Sequence, residues 1–161
     1  MPPVLDVDVL LLFATALAAK RRPAQLVEIV AALDLVQGNV PSEEKLAGAL
    51  VRLGESGLLL ELAEGIALTP DAEKLIEILP RKGDYAQRLF ELRGLLGGFK
   101  ASGEGRAIVL GEALFRAAIL AHRAAAAGVA KNLLVPKPKP EAAQARPGQR
   151  QRKPMPKARK R

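Results

Sequence analysis

The stretch from residue 41 to residue 69 constrains the fold more than any other part of the chain, because it specifies three consecutive elements and their connections. It first predicts a helix over residues 43–56. Ser42 is a favourable N-cap for this helix, and the two acids that follow suit the positive end of its dipole. Leucines at helical spacing then give the helix one apolar face, which we expect to be buried in the core. These leucines are Leu46, Leu50 and Leu53.

The same stretch continues into a predicted β-hairpin. Gly57 supplies the left-handed residue that commonly ends a helix. Two short apolar strands, over residues 58–63 and 66–69, flank the pair Glu64–Gly65, and a two-residue connection ending in glycine is a hairpin signal. A further helix is predicted over residues 71–79, directly after Pro70, which suits a first helical turn.

Four more helices are predicted outside this stretch. The first covers the apolar run 9–19, with acids before it and bases after it. Pro23 opens the second, over residues 24–36, and the last two cover about 84–96 and 106–130. Aromatic residues make up only 3% of the chain, so the core must be aliphatic, which favours helices.

The order of helix, Gly-Leu-Leu, hairpin, Leu-Thr-Pro and helix resembles the winged helix-turn-helix domains of bacterial transcriptional regulators. The residues that carry the resemblance are Leu50, Leu53, Gly57-Leu58-Leu59, Leu68-Thr69-Pro70 and Leu75. The resemblance implies a mainly α fold with a small β-hairpin wing, the winged-helix domain covering residues 1–80. A C-terminal helical hairpin would follow over residues 81–135. In such regulators the additional helices often form a dimer interface, here over residues 84–130; alternatively, they complete the core of a monomer.

The net charge of +8 is concentrated at the C-terminal end of the sequence. Residues 136–161 contain ten of the 25 cations and a single acid, so the rest of the chain carries a net charge of −1. This proline-rich segment has too few apolar side chains to offset the entropy of ordering and is predicted to be disordered. It is either a tail that binds DNA, RNA or another polyanion through backbone phosphates, or a solubilising extension. Its cations are Lys137, Lys139, Arg146, Arg150, Arg152, Lys153, Lys157, Arg159, Lys160 and Arg161.

Candidate DNA contacts in the winged domain lie opposite the leucine face of the third helix and after the first helix. The resemblance makes the third helix a recognition helix, on which Lys45 and Arg52 are seven residues apart and could contact phosphates or guanine edges. The full candidate set is Lys45, Gly48, Arg52, Ser56, Lys20, Arg21 and Arg22. The third helix nevertheless carries three acids against two bases, and the wing turn has Glu61 and Glu64 without any cation.

No catalytic set is recognisable in the sequence. The chain has no cysteine and one histidine, His122, so neither a thiolate zinc site nor a histidine pair can form. The glycine-rich run 97–105 lacks the Gly-Lys-Ser/Thr triplet of a phosphate-binding loop. We therefore expect a protein that is not an enzyme and that requires no cofactor or metal.

The first apolar run is too short to span a bilayer and has acids, not bases, ahead of it, unlike a secretory signal. We therefore expect no membrane association and a cytoplasmic location. Two functional hypotheses remain open. The chain is a winged-helix DNA-binding regulator whose tail adds non-specific affinity, or it is a winged-helix module that contacts proteins and carries a polyanion-binding tail.

Overall fold

The computed structural model describes residues 4–100 and 105–134, with side chains described as far as residue 128. The described chain is mainly helical, with one two-stranded antiparallel hairpin, as predicted. It divides into two units, Met1–Ala125 and Ala126–Arg161, and of the second unit only the end of the last helix is described. The elements are α1 (Asp6–Ala18), α2 (Leu26–Gln37), α3 (Glu43–Glu55), β1 (Leu59–Leu62), β2 (Gly65–Leu68), α4 (Pro70–Ile78), α5 (Tyr85–Gly98) and α6 (Glu112–Leu134).

Helix α1 forms the centre of the core. It is buried on all sides from Asp8 to Ala16, because it packs against α2, α3, α4, α5 and β2. The hydroxyl of Thr15 is satisfied within the helix, donating to the carbonyl of Leu11 at 2.8 Å. A helix that is apolar all round is expected to be buried, and the run identified in the sequence behaves in this way.

Helix α3 and its ending confirm the sequence prediction. Ser42 has the extended backbone of an N-cap, although its side chain makes no capping hydrogen bond. Gly57 has a φ of 68°, and the N–H of Leu58 reaches the carbonyl of Leu53 at 3.0 Å, which completes a Schellman-type ending. The three predicted leucines are buried, Leu50 with only 1% of its surface exposed.

The hairpin is present, but its turn lies one residue earlier than predicted. Leu59 pairs with Leu68 and Leu62 with Gly65, so the connecting residues are Ala63 and Glu64. Gly65 is therefore the first residue of β2, with a φ of 150°. A Cβ on Gly65 would lie 2.8 Å from the carbonyl carbon of Ala24, so close backbone approach also requires glycine there.

This approach reflects a third strand-like segment before α2. The N–H of Ala24 donates to the carbonyl of Ile66 at 2.8 Å, and the N–H of Ile66 donates back at 2.9 Å. The predicted start of the second helix at Ala24 is therefore wrong, and α2 begins at Leu26. The residue after Pro23 adds to the edge of the hairpin, where it is paired with β2.

The C-terminal helices differ most from the predicted boundaries. Helix α5 extends two residues beyond the predicted end, and α6 begins at Glu112, so the predicted start near Arg106 is wrong. Residues 105–111 form an irregular connection instead. The expected antiparallel pairing of the two helices is not among the main packing contacts of the described elements, where α5 packs against α1 and α4.

The core continues past residue 80, because buried side chains of α5, of the connection and of α6 belong to the same apolar cluster. These include Leu92, Leu96, Ile108 and Phe115. The predicted tail, residues 136–161, lies outside the described residues.

Candidate functional sites

Arg52, one of the two cations of α3, is held in a contact with α1. Arg52 does not project freely, because its Nε lies 3.1 Å from each carboxylate oxygen of Asp8 and its Nη2 lies 2.6 Å from Oδ1. The side chain of Asp8 is 7% exposed and that of Arg52 is 28% exposed. The Asp8 carboxylate also accepts from the N–H of Leu5 at 3.2 Å, at the start of α1. The charge predicted to meet DNA is therefore neutralised at the α1–α3 contact.

The other candidates on α3 have different surroundings. The hydroxyl of half-buried Ser56 donates to the carbonyl of Arg52 at 2.7 Å, within the helix. Gly48 is half-buried and Lys45 is exposed. Lys45 is thus the only cation of α3 that is free of an ion pair within the described residues, and it lines a groove with Asp6 and Val7 at the first turn of α1.

The candidates that follow α1 lie near its other end. Lys20, Arg21 and Arg22 are exposed, and Arg22 forms an ion pair with Glu28 of α2. Helix α1 has 13 residues and is therefore about 20 Å long. The structure places these cations beyond one end of α1 and Lys45 beside its other end, so it does not gather the predicted contacts into one patch.

Helix α6 adds a further ionic contact to α3. Glu43 Oε1 lies 3.5 Å from Arg116 Nε. A hydrogen bond from its own backbone N–H, followed by the attraction of Arg116 and Arg123, lowers the pKa of Glu43 below its ordinary value. This carboxylate at the positive end of α3 is consequently stabilised in its charged form.

His122 also has a partner that the sequence did not reveal. Its Nε2 lies 3.1 Å from Asp34 Oδ2 of α2, which attaches α6 to α2. The two residues are 88 positions apart, so their spacing carries no local signal. Among the described residues, no group of three or more metal-binding side chains is placed to hold a metal ion.

A broad concave surface lies between the hairpin on one side and, on the other side, the connection that precedes α6 and the first turns of α6. We call it the wing cleft. It consists of two adjoining cavities, of about 740 Å³ and 520 Å³, that share residues 61–63 of the hairpin. One wall is formed by residues 59–66. The opposite wall is formed by residues 105–109 and by Leu110, Leu114, Ala117, Ala118 and Ala121.

Two glycines allow the backbone of the second wall to pack closely against the end of α3. A Cβ on Gly105 would lie 2.7 Å from the backbone nitrogen of Gly57, and one on Gly54 would lie 2.8 Å from the backbone nitrogen of Ile108. Both distances are too short for any larger residue. Residues 106–109, which were predicted to begin the last helix, are therefore packed as an irregular connection against the end of α3.

Large apolar side chains remain exposed around the wing cleft. Leu62 is 46% exposed, Leu114 is 50% exposed and Val109 is 76% exposed. Glu61 and Glu64 stand exposed at the hairpin end. Arg106 lines the larger cavity together with Glu61, so that cavity is of mixed polarity. The smaller cavity is mainly apolar and has Glu61 and Glu64 at the hairpin end.

Comparisons of the chain with protein-family models, curated proteins and solved structures find no match. No helix among the described residues combines the length and the apolar character needed to cross a membrane.

Proposed function

We propose that this chain is a winged-helix module that binds an apolar segment of a partner protein in the wing cleft. In this proposal the chain binds and does not catalyse. The observation that carries it is the cleft itself, in which exposed apolar side chains on two facing walls are bordered by acids. Clefts of this kind are the usual form of a recognition site.

The order of the elements supports the winged-helix part of the proposal. Three helices precede a hairpin, and the residue before α2 pairs with its second strand. The hairpin thus acquires a third strand-like edge from the connection between the first two helices. This pairing was not part of the sequence resemblance.

The surroundings of α3 favour a protein partner over a major groove. A groove-binding helix gains affinity by replacing the counterions of phosphates with its own cations. On α3, Arg52 is neutralised by Asp8, and exposed Glu44 and Glu55 outnumber exposed Lys45. The helix therefore offers little positive charge to a duplex.

Charge and apolarity together define the partner segment. Its apolar side chains would cover Leu62, Leu114 and Val109, and Lys or Arg residues would lie where it passes Glu61 and Glu64. Rim charges of this kind contribute mainly to orientation and association rate, while the apolar centre supplies most of the affinity.

A randomised peptide library displayed on phage, selected against the full chain, tests the proposal. We expect enriched peptides with apolar residues flanked by Lys or Arg. The double variant Leu62→Glu/Leu114→Glu should bind them at least about tenfold more weakly by fluorescence anisotropy, equivalent to about 1.4 kcal/mol. Ile78→Glu is the matched control, since Ile78 is also exposed but lies outside the cleft and should leave binding unchanged.

Two results would contradict the proposal. One is a selection without enriched peptides, or with peptides that bind the double variant as well as the wild type. The other is a homodimer in light scattering that Leu114→Glu dissociates. That result would make a second copy the occupant of the cleft, in line with the dimer hypothesis for residues 84–130.

DNA binding is the second candidate function, and one observation favours it. Lys20 and Arg21 are exposed and form no ion pair with another described residue. Each neutralised phosphate adds about −0.9 to the slope of log affinity against log salt. If only the tail binds, deletion of residues 136–161 should flatten this slope. If the body also binds, a slope of about −2 should remain, and Lys20→Glu/Arg21→Glu should remove it.

A further inference from the structure

A small cavity lies between the end of α1 and the connection from α4 to α5, away from the wing cleft. Its volume is about 220 Å³. Three cations line it, Lys20 after α1, Arg81 in the connection and Arg88 on α5; we call it the cation pocket. Its remaining lining consists of Phe13, Ala16, Leu17, Ile76, Leu79 and Pro80.

The charges of the cation pocket are not balanced within the described part of the chain. No carboxylate lines the cavity, and none of the three cations takes part in an ion pair with a described residue. Like charges brought together in this way repel one another, and the repulsion is stronger beside an apolar wall than in open water. An anion in the cavity would relieve this repulsion.

The side chain of Arg88 is fixed at the edge of the cation pocket. Its Nη2 donates to the backbone carbonyl of Arg81, which fixes the guanidinium beside the connection. Its Nε is buried and has no hydrogen-bond acceptor among the described residues. Buried polar groups in folded proteins are almost always paired, and a buried charged donor without a partner is costly.

We propose that the cation pocket binds a small organic anion with an apolar body, the phosphate or carboxylate facing Lys20, Arg81 and Arg88. Arginine guanidinium groups match the oxygens of such anions, with charge-assisted hydrogen bonds. Phe13, Leu17 and Leu79 provide the apolar wall that an inorganic ion would not use. This inference does not depend on the function of the wing cleft, so either can fail without the other.

Isothermal titration with phenyl phosphate tests the proposal on the full chain at constant ionic strength. Phenol shares the apolar body without the charge, and inorganic phosphate shares the charge without the apolar body. We expect phenyl phosphate to bind at least about tenfold more tightly than either comparator, because only it uses both parts of the cavity. Equal affinity for phenyl phosphate and inorganic phosphate, or no binding of phenyl phosphate, would overturn the proposal.

Two variants test whether phenyl phosphate binds in the cation pocket. Lys20→Met/Arg81→Met removes two exposed cations of the pocket and should weaken binding of phenyl phosphate at least about tenfold. Lys82→Met is the matched control, since this exposed neighbour of Arg81 does not line the cavity and should retain wild-type affinity. Unchanged affinity in the double variant would refute the assignment. Complete competition by a DNA duplex, lost in the same variant, would also refute it and make the pocket a phosphate-backbone contact.

Discussion

The contact between Arg52 and Asp8 gives the most specific prediction, because it determines whether the Arg52 side chain is available to bind a ligand. Three N–H···O distances of 3.1, 3.1 and 2.6 Å join the two side chains. Removing one partner of a fully buried pair costs about 3–5 kcal/mol, and an exposed pair contributes about 0–1 kcal/mol. With 28% of Arg52 exposed, the expected loss lies between these limits, and we predict about 2 kcal/mol for Arg52→Met.

A double-mutant cycle separates this interaction from the loss of arginine packing. The variants are Arg52→Met, Asp8→Asn and their combination. We expect a coupling energy of about 1–2 kcal/mol, since the two groups are in direct contact. The assay is urea unfolding of the full chain followed by far-UV circular dichroism, because the chain has no tryptophan to report by fluorescence.

Lys45→Met is the control on the same helix, and it removes an exposed cation with no ion pair among the described residues. It should change the free energy of unfolding by no more than about 0.5 kcal/mol. If Arg52→Met is as mild as this control and the coupling energy is zero, the pair does not persist in solution. Arg52 would then be available to contact DNA.

Three further predictions concern the core, the second wall of the wing cleft and the tail. Leu50→Ala should lower the free energy of unfolding by about 2–5 kcal/mol, because it leaves a cavity where the helices meet; an unchanged urea midpoint would contradict its burial. Gly105→Ala should destabilise the chain, because its Cβ would lie too close to the backbone at Gly57. Gly111→Ala should not, because Gly111 has open space around it. Equal effects of the two substitutions would show that the second wall does not pack closely against the end of α3. Deletion of residues 136–161 should leave the melting temperature nearly unchanged, and a loss of folding would show that the tail supports the body.

The elements that the sequence predicted well are those fixed by neighbouring residues. The leucine spacing of α3 and the glycine at position 57 are local signals, and both have the predicted role. A predicted helix boundary was wrong where a residue distant in the sequence determines the backbone conformation. Ala24 has a favourable position for a helix start after Pro23, but its backbone pairs with Ile66, 42 residues away.

The same distinction explains the candidate contacts on α3. Helical phasing correctly separated the buried leucine face from the polar face. It could not reveal that Asp8, 44 residues earlier, holds the side chain of Arg52. A polar face predicted from periodicity is thus available for binding only where no other element covers or neutralises it.

The proposed binding site depends on residues beyond those that carry the fold resemblance. The hairpin wall of the wing cleft lies within the stretch that carries the sequence resemblance, but Val109 and Leu114 on the opposite wall come from residues 105–121. Residues 1–80 contain α3 and the hairpin but not the second wall of the cleft. The pattern that indicates the fold therefore does not determine the partner. Under the proposal, specificity for a partner protein arises where the segment before α6 meets the wing.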